Sequence, residues 1–209
     1  MQSMAENGER LAIPKGIDDF KEVRENGYYF VDKSELISDI IESRCKVLSI
    51  TRPRRFGKSL NLSMLDAFFN MKYKGNGWFE GLKINGHPEA DRYRNVRPVI
   101  CLNMKDLNDS EFGEFLSDFR YEIEKAYSRF EYLSETEGAP SILYRNFQDI
   151  VSGNSDAGLL KKSIEILCEM LEIHHGVKPI VLIDEYDRPV NGSFGKEAQE
   201  TQFSDPALL

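Results

Sequence analysis

The chain alternates between segments whose apolar residues recur at helical spacing and short runs that are almost entirely apolar. Spacings of three and four residues place apolar side chains on one face of a helix. Leu62, Leu65 and Phe69 follow this spacing, and a longer stripe begins at Phe112. The pattern predicts helices near 33–43, from Lys58 to before Gly75, over 142–150, and over 159–173 with Gly176 as its C-cap. A further helix begins at a Ser110 cap and carries the longer stripe, which consists of Phe112, Phe115, Leu116, Phe119 and Ile123.

Three short apolar runs are typical of buried strands. They cover 47–51, 98–104 and 180–183, and the last is apolar at every position, as in a parallel sheet covered on both faces. Between the first two strands, residues 73–97 are rich in glycine, asparagine and charge, which predicts an irregular connection. Strands that alternate with helices predict an α/β sandwich with a mainly parallel sheet.

The loop after the first predicted strand carries a phosphate-binding pattern. A P-loop reads G-x-x-x-x-G-K-[ST], in which backbone N–H groups and the lysine bind phosphates and the hydroxyl binds Mg²⁺. Gly57, Lys58 and Ser59 match this pattern, but Arg52 replaces its first glycine. The candidate nucleotide-binding residues are Arg52, Pro53, Arg54, Arg55, Phe56, Gly57, Lys58, Ser59 and Leu60. Two alternatives stay open: a chance Gly-Lys-Ser in a loop, and a solvated basic turn for Arg54 and Arg55.

The third predicted strand ends in two acidic residues. Asp184 and Glu185 follow the run 180–183 directly. A carboxylate at such a strand end holds Mg²⁺ in many ATPases, and a second one orients or deprotonates the attacking water. Asp184 is therefore the candidate metal ligand beside Ser59, and Glu185 the candidate base. A strand that ends in a polar turn is the alternative, but the two motifs in this order indicate nucleotide binding.

Composition and charge narrow the class of protein. Hydrophobic residues make up 41% of the 209 residues and charged residues 30%, as in soluble globular proteins. The net charge of −8 gives no signature of nucleic-acid binding. The first residues lack the apolar core of a signal peptide, and no apolar run is long enough to span a membrane. We therefore expect a cytoplasmic protein.

The strings TRPRRFGKSLNLSML at 51–65 and IVLIDEYD at 180–187 resemble the predicted AAA-ATPase-like family of bacteria and archaea. The segment 13–37 resembles the N-terminal signature of that family, and the resemblance covers most of 11–190. In this family arginine is the rule at the position of Arg52. The resemblance implies a P-loop NTPase fold, a three-layer α/β sandwich, with ATP and Mg²⁺ as cofactors and with Lys58 and Glu185 as catalytic residues.

Family members often carry a C-terminal nuclease-like domain, so such a domain is an expected partner beside the nucleotide. The resemblance predicts an N-terminal flanking segment over 1–45, a partial ATPase core over 46–192 and a polar tail over 193–209. Further strands that the fold requires are not recognisable after Val190. We therefore expect a C-terminally truncated member with little or no ATPase activity of its own. The alternative function is an interaction module that keeps the fold without turnover.

One aromatic segment precedes the first predicted helix. Tyr28, Tyr29 and Phe30, followed by Asp32 and Lys33, fit two arrangements. They pack against the adenine or the P-loop in the first, and they take part in ordinary core or surface packing in the second, which is the commoner fate of such aromatic residues.

Overall fold

The computed structural model describes residues 11–51, 56–107 and 112–186. The chain divides into an N-terminal unit, Met1–Val99, and a C-terminal unit, Ile100–Leu209. The loop residues Arg52–Arg55, the predicted cap Ser110 and the tail 193–209 lie outside the described residues. The domain boundaries expected at 45 and 192 stay a prediction.

The N-terminal unit is built from helices around one apolar centre. Its elements are α1 (Phe20–Glu25), α2 (Glu35–Ser43), α3 (Lys58–Phe69), 3₁₀ helices at Met71–Tyr73 and Lys83–Gly86, and α4 (Ala90–Tyr93). The ring of Phe79 lies 4.9 Å from that of Phe20 on α1 and 5.3 Å from that of Phe68 on α3. All three side chains are fully buried. The helices predicted near 33–43 and from Lys58 are confirmed by α2 and α3. The irregular connection predicted over 73–97 consists of turns and short helices.

The strand predicted over 47–51 is wrong. These residues have no regular secondary structure, and Val47 is 86% exposed. An extended segment gains stability only when its backbone groups pair with a neighbour. The two strands of the described chain pair with each other in a small parallel sheet, and 47–51 is not one of them.

The C-terminal unit contains this sheet and the helices that follow in sequence between its strands. Strand β1 (Val99–Asn103) begins at the division between the units, and β2 (Ile180–Asp184) is the last element of the described chain. Between them lie α5 (Phe112–Tyr127), a 3₁₀ segment (Ser128–Glu135), α6 (Ser141–Val151), α7 (Ala157–Lys161) and α8 (Ser163–His175). The sequence predictions for both strands and for the helices are confirmed. The P-loop sandwich is a finer statement than this mixed α/β arrangement and stays a prediction.

Two details of the helices differ from the prediction. Phe112 was assigned to the buried stripe of α5 but is 75% exposed, whereas Ile123 is buried. The helix predicted over 159–173 is divided into α7 and α8 at Lys162. At this break the Ser163 hydroxyl donates to the Leu160 carbonyl at 2.8 Å, and the buried Tyr127 hydroxyl donates to the Ser163 carbonyl at 2.6 Å.

Gly176 ends α8 in the left-handed conformation, with a φ of 68°, as expected for a C-cap. Among the described residues, no helix has the length and apolar character needed to cross a membrane.

Candidate nucleotide-binding and metal-binding residues

The start of α3 combines a left-handed glycine with a helix N-terminus. Gly57 precedes the helix with a φ of 76°, in the left-handed region that favours glycine. Its carbonyl accepts the hydrogen bond from the Asn61 N–H at 2.9 Å, which closes the first turn. Lys58 and Ser59 are the first two helical residues, and both are half-buried. The first N–H groups of a helix lack intrahelical acceptors and carry a partial positive charge, which suits an anion.

The N-terminal unit holds α3 firmly from the side of α1. The Ser63 hydroxyl of α3 accepts the backbone N–H of Phe20 at 2.9 Å and lies 3.4 Å from a carboxylate oxygen of Asp19. Asp19 also caps α1, because its carboxylate accepts the Lys21 N–H at 2.8 Å. The second turn of α3, which contains Ser63, is thus bonded to the start of α1.

Lys33 contacts the residue that precedes Gly57. Its ammonium donates to the Phe56 carbonyl at 3.1 Å. The sequence left Lys33 between a place at the P-loop and ordinary packing, and the structure places it at the described end of the loop. Phe30 takes the other alternative, since its ring packs against that of Phe20 at 5.2 Å.

Asn61 is a polar residue of the first turn that sequence reasoning did not single out. It is 4% exposed, and its side-chain Nδ2 finds no acceptor among the described residues. Buried side-chain donors are nearly always hydrogen-bonded. No sequence signal would have identified it, because the phosphate-binding pattern ends at Ser59.

Asp184 and Glu185 lie where β2 ends. The Asp184 carbonyl accepts the Met104 N–H at 3.0 Å, which continues the pairing of β2 with the chain after β1. The Asp184 carboxylate accepts the Glu185 N–H at 3.0 Å. Both side chains are half-buried, and Glu185 has a φ of 53°. Asp184 is therefore the last residue of a strand that is paired up to its end, and Glu185 follows it directly.

The predicted site residues fall into both units of the chain. Phe56, Gly57, Lys58, Ser59 and Leu60 belong to the N-terminal unit and are brought together at the start of α3. Asp184 and Glu185 belong to the C-terminal unit. Arg52, Pro53, Arg54 and Arg55 lie outside the described residues. Within the described ranges no cluster of three or more histidine, cysteine, aspartate or glutamate side chains forms a metal site.

The described chain thus contains a helix that begins at Lys58 and Ser59 after a left-handed glycine. It also contains a strand whose last residue, Asp184, is followed by Glu185. The chain belongs to the predicted AAA-ATPase family, whose sequence profile matches residues 14–208. This family membership indicates nucleotide binding.

A curated protein of Azotobacter chroococcum mcd 1, described as "Uncharacterized protein in vnfD 5'region", is 28% identical over 190 residues. The match covers 87% of this chain and 30% of the relative, so the chain spans less than a third of the length of that protein. No solved structure matches the chain.

Proposed function

We propose that this chain is the ATP-binding module of an AAA-like P-loop ATPase, with ATP held by the loop Arg52–Ser59 and by Leu60. The observation that carries the proposal is the left-handed Gly57 directly before a helix that begins on Lys58 and Ser59. A glycine in this conformation lets the backbone turn sharply into the helix, so that its first N–H groups converge on an anion. The Lys58 ammonium then offsets the charge of the terminal phosphates.

Mg²⁺ fits the oxygen ligands that the chain offers. Mg²⁺ prefers one or two protein oxygens together with water and substrate phosphates. The Ser59 hydroxyl and the Asp184 carboxylate are ligands of this type, and both side chains are half-buried. The metal would supply charge neutralisation at the phosphates. Ser59 would bind it directly, and Asp184 would hold it through water.

Hydrolysis in the complete protein is proposed to use Glu185. Its carboxylate would orient a water molecule and accept a proton from it as the water attacks the γ-phosphate. Lys58 would stay on the phosphate oxygens as negative charge moves to the leaving group. A C-terminal nuclease-like domain as a partner rests on the family resemblance alone.

Titration of the chain with ATP and Mg²⁺ tests the proposal. Lys58→Ala should weaken binding at least tenfold, since charge-assisted hydrogen bonds contribute about 1.5–3 kcal/mol. Lys74→Ala removes an exposed lysine of the same unit and should leave the affinity unchanged. Affinity that is equal in both variants would contradict the phosphate role of Lys58. No binding by the unmodified chain would favour the alternative, an interaction module that keeps the fold.

A further inference from the structure

Lys33 makes a long-range contact with the backbone next to the proposed phosphate site. Its ammonium donates to the Phe56 carbonyl at 3.1 Å, across 23 positions of sequence. The same nitrogen lies 3.6 Å from the place where a Cβ on Gly57 would be, which is ordinary van der Waals distance. The ammonium therefore rests against the peptide that joins Phe56 to Gly57.

The direction of this peptide decides where the next N–H group points. In a planar trans peptide the carbonyl and the following N–H point in opposite directions. The described chain contains no cis peptide bond. Lys33 holds the carbonyl of Phe56, so the Gly57 N–H points away from the ammonium. An anion bound by this N–H would lie on the opposite side of the peptide from Lys33.

The backbone of Lys33 is itself fixed on both sides. Asp32 accepts the N–H groups of Ser34 and Lys83, each at 2.9 Å. The fully buried Ser34 hydroxyl accepts the Ile84 N–H at 3.1 Å. Partial burial opposes ionisation of Asp32, but the hydrogen bonds from Ser34 and Lys83 outweigh it and lower the pKa of this carboxyl.

An ion pair extends this anchor. The Lys83 ammonium lies 2.6 Å from the Glu35 carboxylate in the first turn of α2. The residues on both sides of Lys33 are thus tied to the 3₁₀ helix Lys83–Gly86 by side-chain and backbone bonds. A long side chain on a fixed backbone is a suitable device for holding one carbonyl in place.

We propose that Lys33 is a positioning residue of the nucleotide site, which holds the Phe56–Gly57 peptide with the Gly57 N–H turned toward the phosphates. This role rests on the proposed function. Lys33 acts through the backbone of the loop and not on the nucleotide itself. Lys33 differs in this from Lys58, which binds the phosphates. The proposed role gives a function to the Asp-Lys-Ser segment at 32–34, which the P-loop pattern does not include.

The test combines three variants of the full chain with two probes. Lys33→Met removes the ammonium and keeps the length of the side chain, Lys33→Arg keeps a donor, and Lys74→Met is the control at an exposed lysine of the same unit. The probes are ATP with Mg²⁺ and inorganic triphosphate with Mg²⁺, titrated by calorimetry. The ¹⁵N order parameters of the Gly57 and Lys58 amides are measured by NMR without ligand.

We expect Lys33→Met to bind both probes about tenfold more weakly, the effect of one charge-assisted hydrogen bond. It should lower the order parameters of the Gly57 and Lys58 amides, since their peptide loses a restraint, while the thermal midpoint stays near that of Lys74→Met. Lys33→Arg should recover most of the affinity. Unchanged affinity in Lys33→Met would overturn the inference and leave the proposed function intact. Weaker binding with unchanged order parameters would assign Lys33 to direct phosphate contact and also overturn it. Failure of the unmodified chain to bind either probe would remove the proposed function and this role together.

Discussion

At the scale of single residues, Glu185 has a backbone conformation that side chains rarely adopt. Its φ is 53°, in the left-handed region, directly after the last residue of β2. This conformation costs an L-residue roughly 1–2 kcal/mol relative to the right-handed one. Such strain is found preferentially at functional sites. Because glycine would relieve the strain, a glutamate at this position is consistent with the proposed role of its carboxylate in hydrolysis.

Replacing Glu185 with glycine should therefore stabilise the chain. We expect Glu185→Gly to raise the free energy of unfolding by roughly 0.5–1 kcal/mol, the relief of strain less the added entropy of the unfolded chain. Glu185→Ala is the matched control, since it removes the same carboxylate but keeps the Cβ and hence the strain. Urea denaturation followed by circular dichroism measures both. If alanine stabilises as much as glycine, the carboxylate and not the backbone is the source of the cost.

At the scale of elements, the end of α3 is held by the segment that leads to β1. The last carbonyls of a helix accept no hydrogen bond from within the helix and need donors from elsewhere. Asn95 supplies several, since its backbone N–H donates to Phe68 at 2.7 Å and its side-chain Nδ2 donates to Ala67 at 3.0 Å and to Asn70 at 2.8 Å. Asn95 is 4% exposed, and its φ of 53° is one that asparagine tolerates. It fixes the C-terminus of the helix whose N-terminus carries Lys58.

Removing this side chain should destabilise the N-terminal unit. Asn95→Ala removes the side-chain donor to the buried Ala67 carbonyl and one of the two donors to the Asn70 carbonyl, which keeps the Tyr73 N–H at 3.1 Å. It also places alanine at a positive φ, so we expect a loss of about 2–4 kcal/mol. Asn26→Ala removes an exposed asparagine that bonds only the Glu22 carbonyl of its own helix in the described structure, and it should cost less than about 0.5 kcal/mol. Thermal and urea unfolding compare the two. Similar small losses in both variants would show that water replaces Asn95 at the end of α3.

Elements whose stability is local were predictable from the sequence, and those that depend on distant partners were not. The stripe of α5 and the helix that begins at Lys58 follow from residues within one or two helical turns. The apolar run at 180–183 became a strand because β1 pairs with it. The run at 47–51 also contains β-branched residues, but it has no regular secondary structure. Strand propensity describes a fit to a neighbouring strand more than an intrinsic preference of the backbone.

The same distinction applies to the candidate site. Lys58 and Ser59 were identified because the phosphate pattern is contiguous in sequence. The bond from Lys33 to Phe56 spans 23 positions, and no periodicity links the two residues. Sequence resemblance marked the segment around Lys33, but only the folded chain shows which atom it contacts.

At the scale of the whole molecule, the proposed magnesium ligands come from different units. Ser59 belongs to the N-terminal unit and Asp184 to the C-terminal unit. If both act on one Mg²⁺, the losses of ATP affinity caused by changing them are not independent. Such cooperation between residues is measured by a double-mutant cycle, in which the effects of residues that act together fail to add.

The cycle uses Ser59→Ala, Asp184→Asn and the double variant, each titrated with ATP in Mg²⁺ and again in chelator. Each single variant should lose affinity in Mg²⁺ and change little in chelator, because the hydroxyl and the carboxylate act on the metal. The double variant should lose little beyond either single one, which corresponds to a coupling of about 0.5–3 kcal/mol. Ser59→Ala combined with Glu131→Gln, at an exposed acid of the C-terminal unit, is the matched control and should show additive effects. Additive losses for Ser59 and Asp184 would mean that the two residues do not share a metal. Losses that persist in chelator would place their roles outside metal binding.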